Sequence, residues 1–149
     1  MSNKKYSLGF IGIGLMGQPL TLRLLNAGFS VHVWNRSAEK LQTVVNAGAT
    51  PANSIAELVQ ASNVILLCVS DSAAVESVVH EHIAICDLSN KLIIDLSSIR
   101  PDTTRELAAL VQEHGGQWVD APVSGGVAGA EQGTFCLLYT SPSPRDQRG

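Results

Sequence analysis

The stretch GFIGIGLMGQP at residues 9–19 decides the fold, because its glycines stand in a G-x-G-x-x-G frame between a strand-length apolar run and a helical pattern. In such a unit the first glycine permits a tight turn, the second lets the backbone approach a diphosphate, and the third lets helix and strand pack closely. Amides and the dipole at the helix start favour an anion. The alternative is a glycine-rich turn that binds nothing. The context favours a dinucleotide site, with cofactor-binding residues Gly12, Ile13, Gly14, Leu15, Met16 and Gly17.

Apolar runs and helical patterns alternate along the rest of the chain. Strands are predicted at 7–12, 30–34, 63–69, 91–95 and 117–120. Helices are predicted at 15–27, 38–47, 54–60, 72–85 and 101–113. The runs around Ile65 and Ile93 are apolar on both faces, as in central parallel strands that helices cover on each side. The pattern predicts an α/β fold with a doubly wound parallel sheet of the Rossmann type.

Composition limits the classes of partner. The 149 residues suit one domain, 45% of them are hydrophobic, and the net charge of −3 comes without a long basic run. We therefore expect binding to neither nucleic acid nor a membrane. The three cysteines form no C-x-x-C pair, which predicts reduced thiols and a cytoplasmic protein.

Two histidines suggest a metal site at first sight. His80 and His82 flank Glu81 in a predicted helix. Residues two apart point to different sides of a helix, whereas paired helical ligands are three or four apart. We predict a solvated helix face and no metal.

The end of the second predicted strand indicates which nucleotide binds. NAD-binding versions usually carry an acid about 20 residues past the first glycine, where it holds the ribose hydroxyls. This chain has Asn35 and Arg36 there. Asn35 can bond a ribose or phosphate oxygen, while Arg36 can pair with a 2′-phosphate and stack on adenine. We predict NADP(H) over NAD(H). The alternative is that Arg36 is a solvated loop residue.

Three segments together resemble one enzyme family. They are GFIGIGLMGQPLTLRLLNAG at 9–28, IIDLSSIRP at 93–101 and DAPVSGGVAGAEQGT at 120–134. The chain resembles the β-hydroxyacid dehydrogenases of the 3-hydroxyisobutyrate dehydrogenase and tartronate semialdehyde reductase (2-hydroxy-3-oxopropionate reductase) type. Leu20, Thr21 and Arg23 replace commoner Met, Ala and Asn residues of the first helix, which leaves the subfamily open.

The third segment predicts a substrate site. Pro122 restricts the backbone there, and the glycines permit close approach, so successive amides can form a nest for the carboxylate of a small acid. The resemblance implies that Ser124, Gly125 and Gly126 hold that carboxylate. The alternative is an ordinary surface loop.

The resemblance also places residues beside the nicotinamide and its ribose. It implies that Val69, Ser70 and Ser98 lie there. Ser97 and Ser98 could equally cap the helix that starts at Pro101.

The resemblance implies hydride transfer between NADP(H) and a small β-hydroxy acid or its semialdehyde. In the family, a lysine on a helix after this domain is the general acid or base, and an all-helical second domain follows. Lys4, Lys5, Lys40 and Lys91 do not match that position. We therefore expect an N-terminal part, inactive alone, of a homo-oligomeric enzyme with no assignable catalytic residue here. The alternatives are an imine reductase or 6-phosphogluconate dehydrogenase relative, and a non-catalytic NADP-binding module.

The end of the chain departs from the pattern upstream. Residues 136–146, CLLYTSPSPRD, match the translation of a common sequencing-library adapter. We expect residues 1–135 to form an incomplete NAD(P)-binding domain, and residues 136–149 to be a non-native tail.

Overall fold

The computed structural model describes residues 7–14, 16–69, 72–97 and 100–120 of the chain. Its strands are β1 (Ser7–Ile11), β2 (Ser30–Trp34), β3 (Thr50–Pro51), β4 (Val64–Leu67), β5 (Leu92–Asp95) and β6 (Gln117–Asp120). Within the described residues they form one parallel sheet in the order β3-β2-β1-β4-β5-β6. The order reverses between β1 and β4, which is the doubly wound topology predicted from the alternating pattern.

Helices connect the strands. They are α1 (Gly17–Asn26), a 3₁₀ helix (Ala38–Leu41) with α2 (Gln42–Asn46), α3 (Ile55–Ala61), α4 (Ser72–Val78) with a π-helical turn (Val79–Ile83), and α5 (Pro101–Glu113). The π turn was not predicted. It closes with a hydrogen bond of 2.8 Å from the backbone N–H of Ala84 to the carbonyl oxygen of Val79.

Two hydrophobic cores lie on opposite faces of the sheet. One contains Leu20 and Leu24 of α1 and Val44 of α2. The other contains side chains of α3, α4 and α5. Successive strand residues supply them in turn, since Phe10 faces the first core and Ile11 the second. All four residues of β4 are buried, as predicted for a strand covered on both sides.

The helix ends follow local sequence signals. The Ser54 hydroxyl accepts a hydrogen bond of 3.1 Å from the backbone N–H of Glu57 and thereby caps the start of α3. The Glu57 carboxylate accepts a bond of 2.6 Å from the N–H of Asn53, one residue earlier than in the usual reciprocal arrangement.

Strand β3 was missed. It has two residues, both exposed, and lies at the edge of the sheet. Its Pro51 has no N–H and is tolerated in a sheet only at such an edge. A Thr-Pro pair carries no recognisable strand pattern, so only pairing with β2 reveals it.

Candidate dinucleotide-binding site

The site lies where the carboxyl ends of β1 and β4 meet, at the point where the strand order reverses. Ligands of open α/β sheets bind in the crevice at such a point. The N–H of Cys68 donates to the Ile11 carbonyl at 2.9 Å, and the N–H of Gly12 donates to the Trp34 carbonyl at 3.0 Å. These bonds hold the chain after β1 against the ends of β2 and β4.

The three glycines of the loop have different roles. Gly12 has a positive φ of 101°, and a β-carbon there would overlap the carbonyl oxygen of Cys68. A β-carbon at Gly17 would overlap the carbonyl oxygen of Gly12. In contrast, no described atom outside its two chain neighbours lies within 4 Å of the β-carbon position of exposed Gly14. Packing therefore requires the first and third glycines, while the second borders open space.

The start of α1 leaves room for an anion. Among the described residues no side chain caps the helix, and its first turn has no acid. Pro19 has no N–H, and the N–H of Gln18 donates to the Gly14 carbonyl at 3.0 Å. Met16 precedes the helix, and Leu15 lies outside the described residues. The positive end of the helix dipole therefore meets no carboxylate in the first turn of the helix itself.

Asn35 binds the chain itself. Its Oδ1 accepts a hydrogen bond of 2.8 Å from the backbone N–H of Ile13, and its Nδ2 donates to the carbonyl of Ser37 at 3.0 Å. The Ile13 side chain is buried in the first core. Ile13 therefore contributes to the loop through its backbone bond and its packing. Asn35 retains one N–H and one lone pair for the predicted contact with a ribose or phosphate oxygen.

Two cations lie beyond Asn35. Arg36 and Lys40 are exposed, and among the described residues no carboxylate forms an ion pair with either. Lys40 lies in the 3₁₀ helix, and its backbone N–H donates to the Ser37 carbonyl at 3.1 Å. Lys40 was not predicted as a site residue, and it stands four residues past Arg36 as a second exposed cation.

The loops after β4 and β5 are bonded to each other. The backbone N–H of half-buried Val69 donates to the hydroxyl of Ser97 at 2.9 Å. Residue Arg100 occupies the cap position of α5, and among the described residues no side-chain cap bond is present there. The alternative that Ser97 caps this helix is therefore wrong, because its hydroxyl holds the β4 loop instead. Ser70 and Ser98 lie outside the described residues.

Two acids at neighbouring strand ends were not predicted as part of the site. Asp95 is fully buried, its Oδ1 accepts from the N–H of Ser97 at 3.0 Å, and its Oδ2 has no partner among the described residues. Burial raises the pKa of Asp95 to about 6; hydrogen bonds from Ser97 oppose the rise, and nearby Asp120 adds to it. Burial also raises the pKa of Asp120, which pairs with Asp95 in the sheet register. The sequence signal for both acids was their position, because each stands at the end of an apolar run.

The thiol of Cys68 follows β4, next to the crevice. Burial, together with the charge of Asp95, raises the pKa of Cys68 to about 11. The thiol therefore stays protonated near neutral pH.

Other residues considered from the sequence are either outside the described residues or at the far end of the sheet. Ser124, Gly125, Gly126, Lys4 and Lys5 are outside the described residues. Lys91 lies before β5, at the opposite end of the sheet from the crevice, and its Nζ donates to the Ser62 carbonyl at 2.7 Å.

The surface histidines and the helices give no further site. His80 and His82 are exposed. In the part of the chain that the structure describes, no group of three or more His, Cys, Asp or Glu side chains could hold a metal ion. No helix in that part is long and apolar enough to cross a membrane.

Comparison with known proteins identifies the family. Residues 7–144 match the family described as the NAD binding domain of 6-phosphogluconate dehydrogenase. The chain belongs to this family. This NAD-binding domain is also 37% identical over 133 residues to the 2-hydroxy-3-oxopropionate reductase of Escherichia coli (strain K12), covering 88% of this chain and 45% of that protein. The predicted Rossmann fold and the predicted kinship with hydroxy-acid oxidoreductases are confirmed.

Two solved structures are similar to this NAD-binding domain in fold and in sequence. A structure of an imine reductase from Pseudomonas sp. has a TM-score of 0.79 and 35% identity, covering 85% of this chain and 43% of that chain. Psf3 in complex with NADP+ and 2-OPP has a TM-score of 0.83 and 35% identity, covering 91% of this chain and 52% of that chain. The chain thus spans about half the length of these relatives.

Proposed function

We propose that this chain binds NADP(H), and that it is the cofactor-binding part of an oxidoreductase that interconverts a small β-hydroxy acid and its semialdehyde. The observation that carries the proposal is the open space at Gly14, at the point where the strand order reverses. The match to an NAD-binding family supports it.

The diphosphate is proposed to lie against Gly14 and the start of α1. A backbone without a β-carbon lets phosphate oxygens approach closely. The helix start carries about half a positive elementary charge, and no acid of its first turn opposes it. The groups present therefore fit a diphosphate. Gly12 and Gly17 shape this surface through their packing.

The 2′-phosphate of NADP(H) is proposed to bind Arg36, with Lys40 beside it. Both side chains are exposed and lack an ion pair among the described residues, so binding a phosphate breaks no existing pair. The guanidinium offers two parallel N–H groups to phosphate oxygens. The complex of the similar Psf3 structure with NADP+ supports this choice.

The reaction is proposed from the relatives. When bound, NADPH supplies the hydride. We propose that Val69, Ser70 and Ser98 border its nicotinamide, and that Ser124, Gly125 and Gly126 hold the substrate carboxylate. The Ser97 hydroxyl fixes the backbone at Val69 by the 2.9 Å bond. The 2-hydroxy-3-oxopropionate reductase of Escherichia coli supports a hydroxy acid as the substrate.

An imine reductase is a second candidate, because a structure of that activity is 35% identical to this chain. The two candidates differ in the group that receives the hydride, which is a carbonyl for the hydroxy-acid oxidoreductase and an imine for the imine reductase. Assays of the longer enzyme that we propose, with NADPH and either 2-hydroxy-3-oxopropionate or a cyclic imine, separate them. Binding of NADPH without turnover of either compound would favour a non-catalytic module.

Four further expectations concern the assembly, the location and the boundaries of the protein. A homo-oligomeric parent and a cytoplasmic location stay predictions. So do the domain boundary at residue 135 and the tail at 136–149.

Replacement of Arg36 with glutamine tests the cofactor. We expect NADPH to bind about 10- to 100-fold more weakly to R36Q, because a hydrogen bond to a charged group contributes about 1.5–3 kcal/mol. NADH lacks the 2′-phosphate and loses only the stacking of Arg36 on its adenine, so its affinity should fall by no more than about fivefold. Isothermal titration of the 149-residue chain with each nucleotide measures both values.

The matched control is R105Q, which removes an exposed arginine of α5. It should leave both affinities unchanged. An equal loss of NADH and NADPH affinity in R36Q, or tighter binding of NADH than NADPH by the wild type, would contradict the assignment of NADP(H).

A further inference from the structure

We propose that Asn35 is a positioning residue that couples the two halves of the cofactor site, the glycine loop and the Arg36 loop. The inference rests on the proposed NADP(H) binding and goes beyond a direct ribose contact. Because one carboxamide holds both segments, binding of the diphosphate at the glycine loop helps to order the backbone around Arg36. Binding of the 2′-phosphate at Arg36 helps to order the glycine loop in return.

The geometry places Asn35 between the segments. On one side its Oδ1 accepts from the Ile13 N–H at 2.8 Å, within the glycine loop. On the other side its Nδ2 donates to the Ser37 carbonyl at 3.0 Å, one residue past Arg36. A backbone hydrogen bond of 3.0 Å from the Gly12 N–H to the Trp34 carbonyl continues the pairing of β1 with β2 as far as the residue before Asn35. Asn35 therefore extends the connection of β1 to β2 beyond the strands.

The carboxamide matches its partners in a way that its isosteres do not. It accepts and donates at once, as an N–H on one side and a carbonyl on the other require. A leucine of similar size does neither, and it would leave the Ile13 N–H without its acceptor. An aspartate still accepts from Ile13, but its second oxygen would face the Ser37 carbonyl without a hydrogen. The two substitutions thus separate the two bonds.

Titrations of N35L and N35D with NADPH and NADH test the coupling. In N35L both bonds are lost, so we expect NADH to bind about 3- to 10-fold more weakly and NADPH to lose at least as much. In N35D the Ile13 bond remains, so NADH should bind within about twofold of the wild type or more tightly. NADPH should bind about tenfold more weakly to N35D, because the Arg36 loop loses its tether and the carboxylate repels the 2′-phosphate.

Hydrogen exchange of the Ile13 amide provides a readout besides affinity. Exchange should accelerate in N35L and stay slow in N35D. The matched control is N63L, because Asn63 also accepts a backbone N–H, that of Ser7 at 2.9 Å, at the opposite end of the sheet. N63L should change thermal stability by a similar amount and leave both nucleotide affinities unchanged.

Distinct results overturn this inference and the proposed function. If N35L keeps both affinities within twofold, or if N35D loses as much NADH affinity as N35L, Asn35 does not position the loop. Fast Ile13 exchange in N35D would overturn it equally. If the wild type binds neither nucleotide, the proposed function fails instead. If it binds both equally, only the role of Arg36 fails, and the NADH arm still tests Asn35.

Discussion

Replacing Gly12 with alanine is expected to destabilise the protein by about 2–4 kcal/mol and to abolish measurable nucleotide binding. Two effects add. The φ of 101° is costly for a residue with a β-carbon, and that carbon would overlap the backbone carbonyl of Cys68. A carbonyl at the end of a buried strand cannot rotate away as a flexible side chain can, so the ends of β1 and β4 must separate. Urea denaturation measures the loss of stability, and titration with NADPH measures the loss of binding.

Two other glycines provide matched controls. Gly28 has a similar φ of 96° but open space around its β-carbon position, so G28A should lose only about 1 kcal/mol. Gly14 has open space and no positive φ, so G14A should keep its stability within about 0.5 kcal/mol. Yet G14A should bind NADPH about tenfold or more weakly, because its methyl group occupies the surface proposed for the diphosphate.

Two results for G14A would contradict the proposed place of the diphosphate. If G14A loses as much stability as G12A, the space beside Gly14 is not open. If G14A is stable and binds NADPH normally, the diphosphate lies elsewhere.

Replacing Asp95 with asparagine is expected to stabilise the protein at pH 7.5 by about 1–3 kcal/mol. The folded-state pKa of about 6 lies above the ordinary value of 3.8. The neutral carboxyl therefore contributes stability at low pH, and this contribution is lost as the pH rises through about 6. Above that pH the wild type buries a charge. Asparagine stays neutral and can still accept the Ser97 N–H.

Urea denaturation of wild type and D95N across pH 4 to 8 measures the effect. The gain should shrink as the pH falls from 7.5 towards 4, since the wild-type carboxyl then becomes neutral. The control is D102N, because Asp102 is exposed in the first turn of α5 and pairs weakly with Arg100 at 3.7 Å. D102N should be slightly destabilising at pH 7.5. A loss of stability in D95N, or a gain independent of pH, would show that the charged form is not the costly one.

Much of the fold could be predicted because its signals are local. Strands β2 and β6 and helix α5 have the predicted bounds. The other long elements differ from their predictions mainly at their ends. The π turn after α4 could not be predicted, since its residues Val79–Ile83 also fit an α-helical pattern.

Only part of the candidate site was visible in the same way. The three glycines and Arg36 were predicted as site residues by motif and spacing. Asn35 was found, but its bonds to Ile13 and Ser37 were not, because the first joins residues from two strand ends. The sequence left open whether Ser97 caps α5, because its hydroxyl bonds a residue 28 positions away along the chain, which no local pattern reveals.

By itself the sequence determined the alternation of strands and helices, the place of the nucleotide loop and the family, because periodicity and glycine spacing act within about one element at a time. Only the tertiary structure decided which glycines are required by packing and which one faces open space. It also decided that Asp95 is buried beside Asp120, and that a β-carbon at Gly9 would overlap the Leu58 side chain of α3. These properties depend on the register of neighbouring strands and the distance between packed elements, which arise only when distant segments meet.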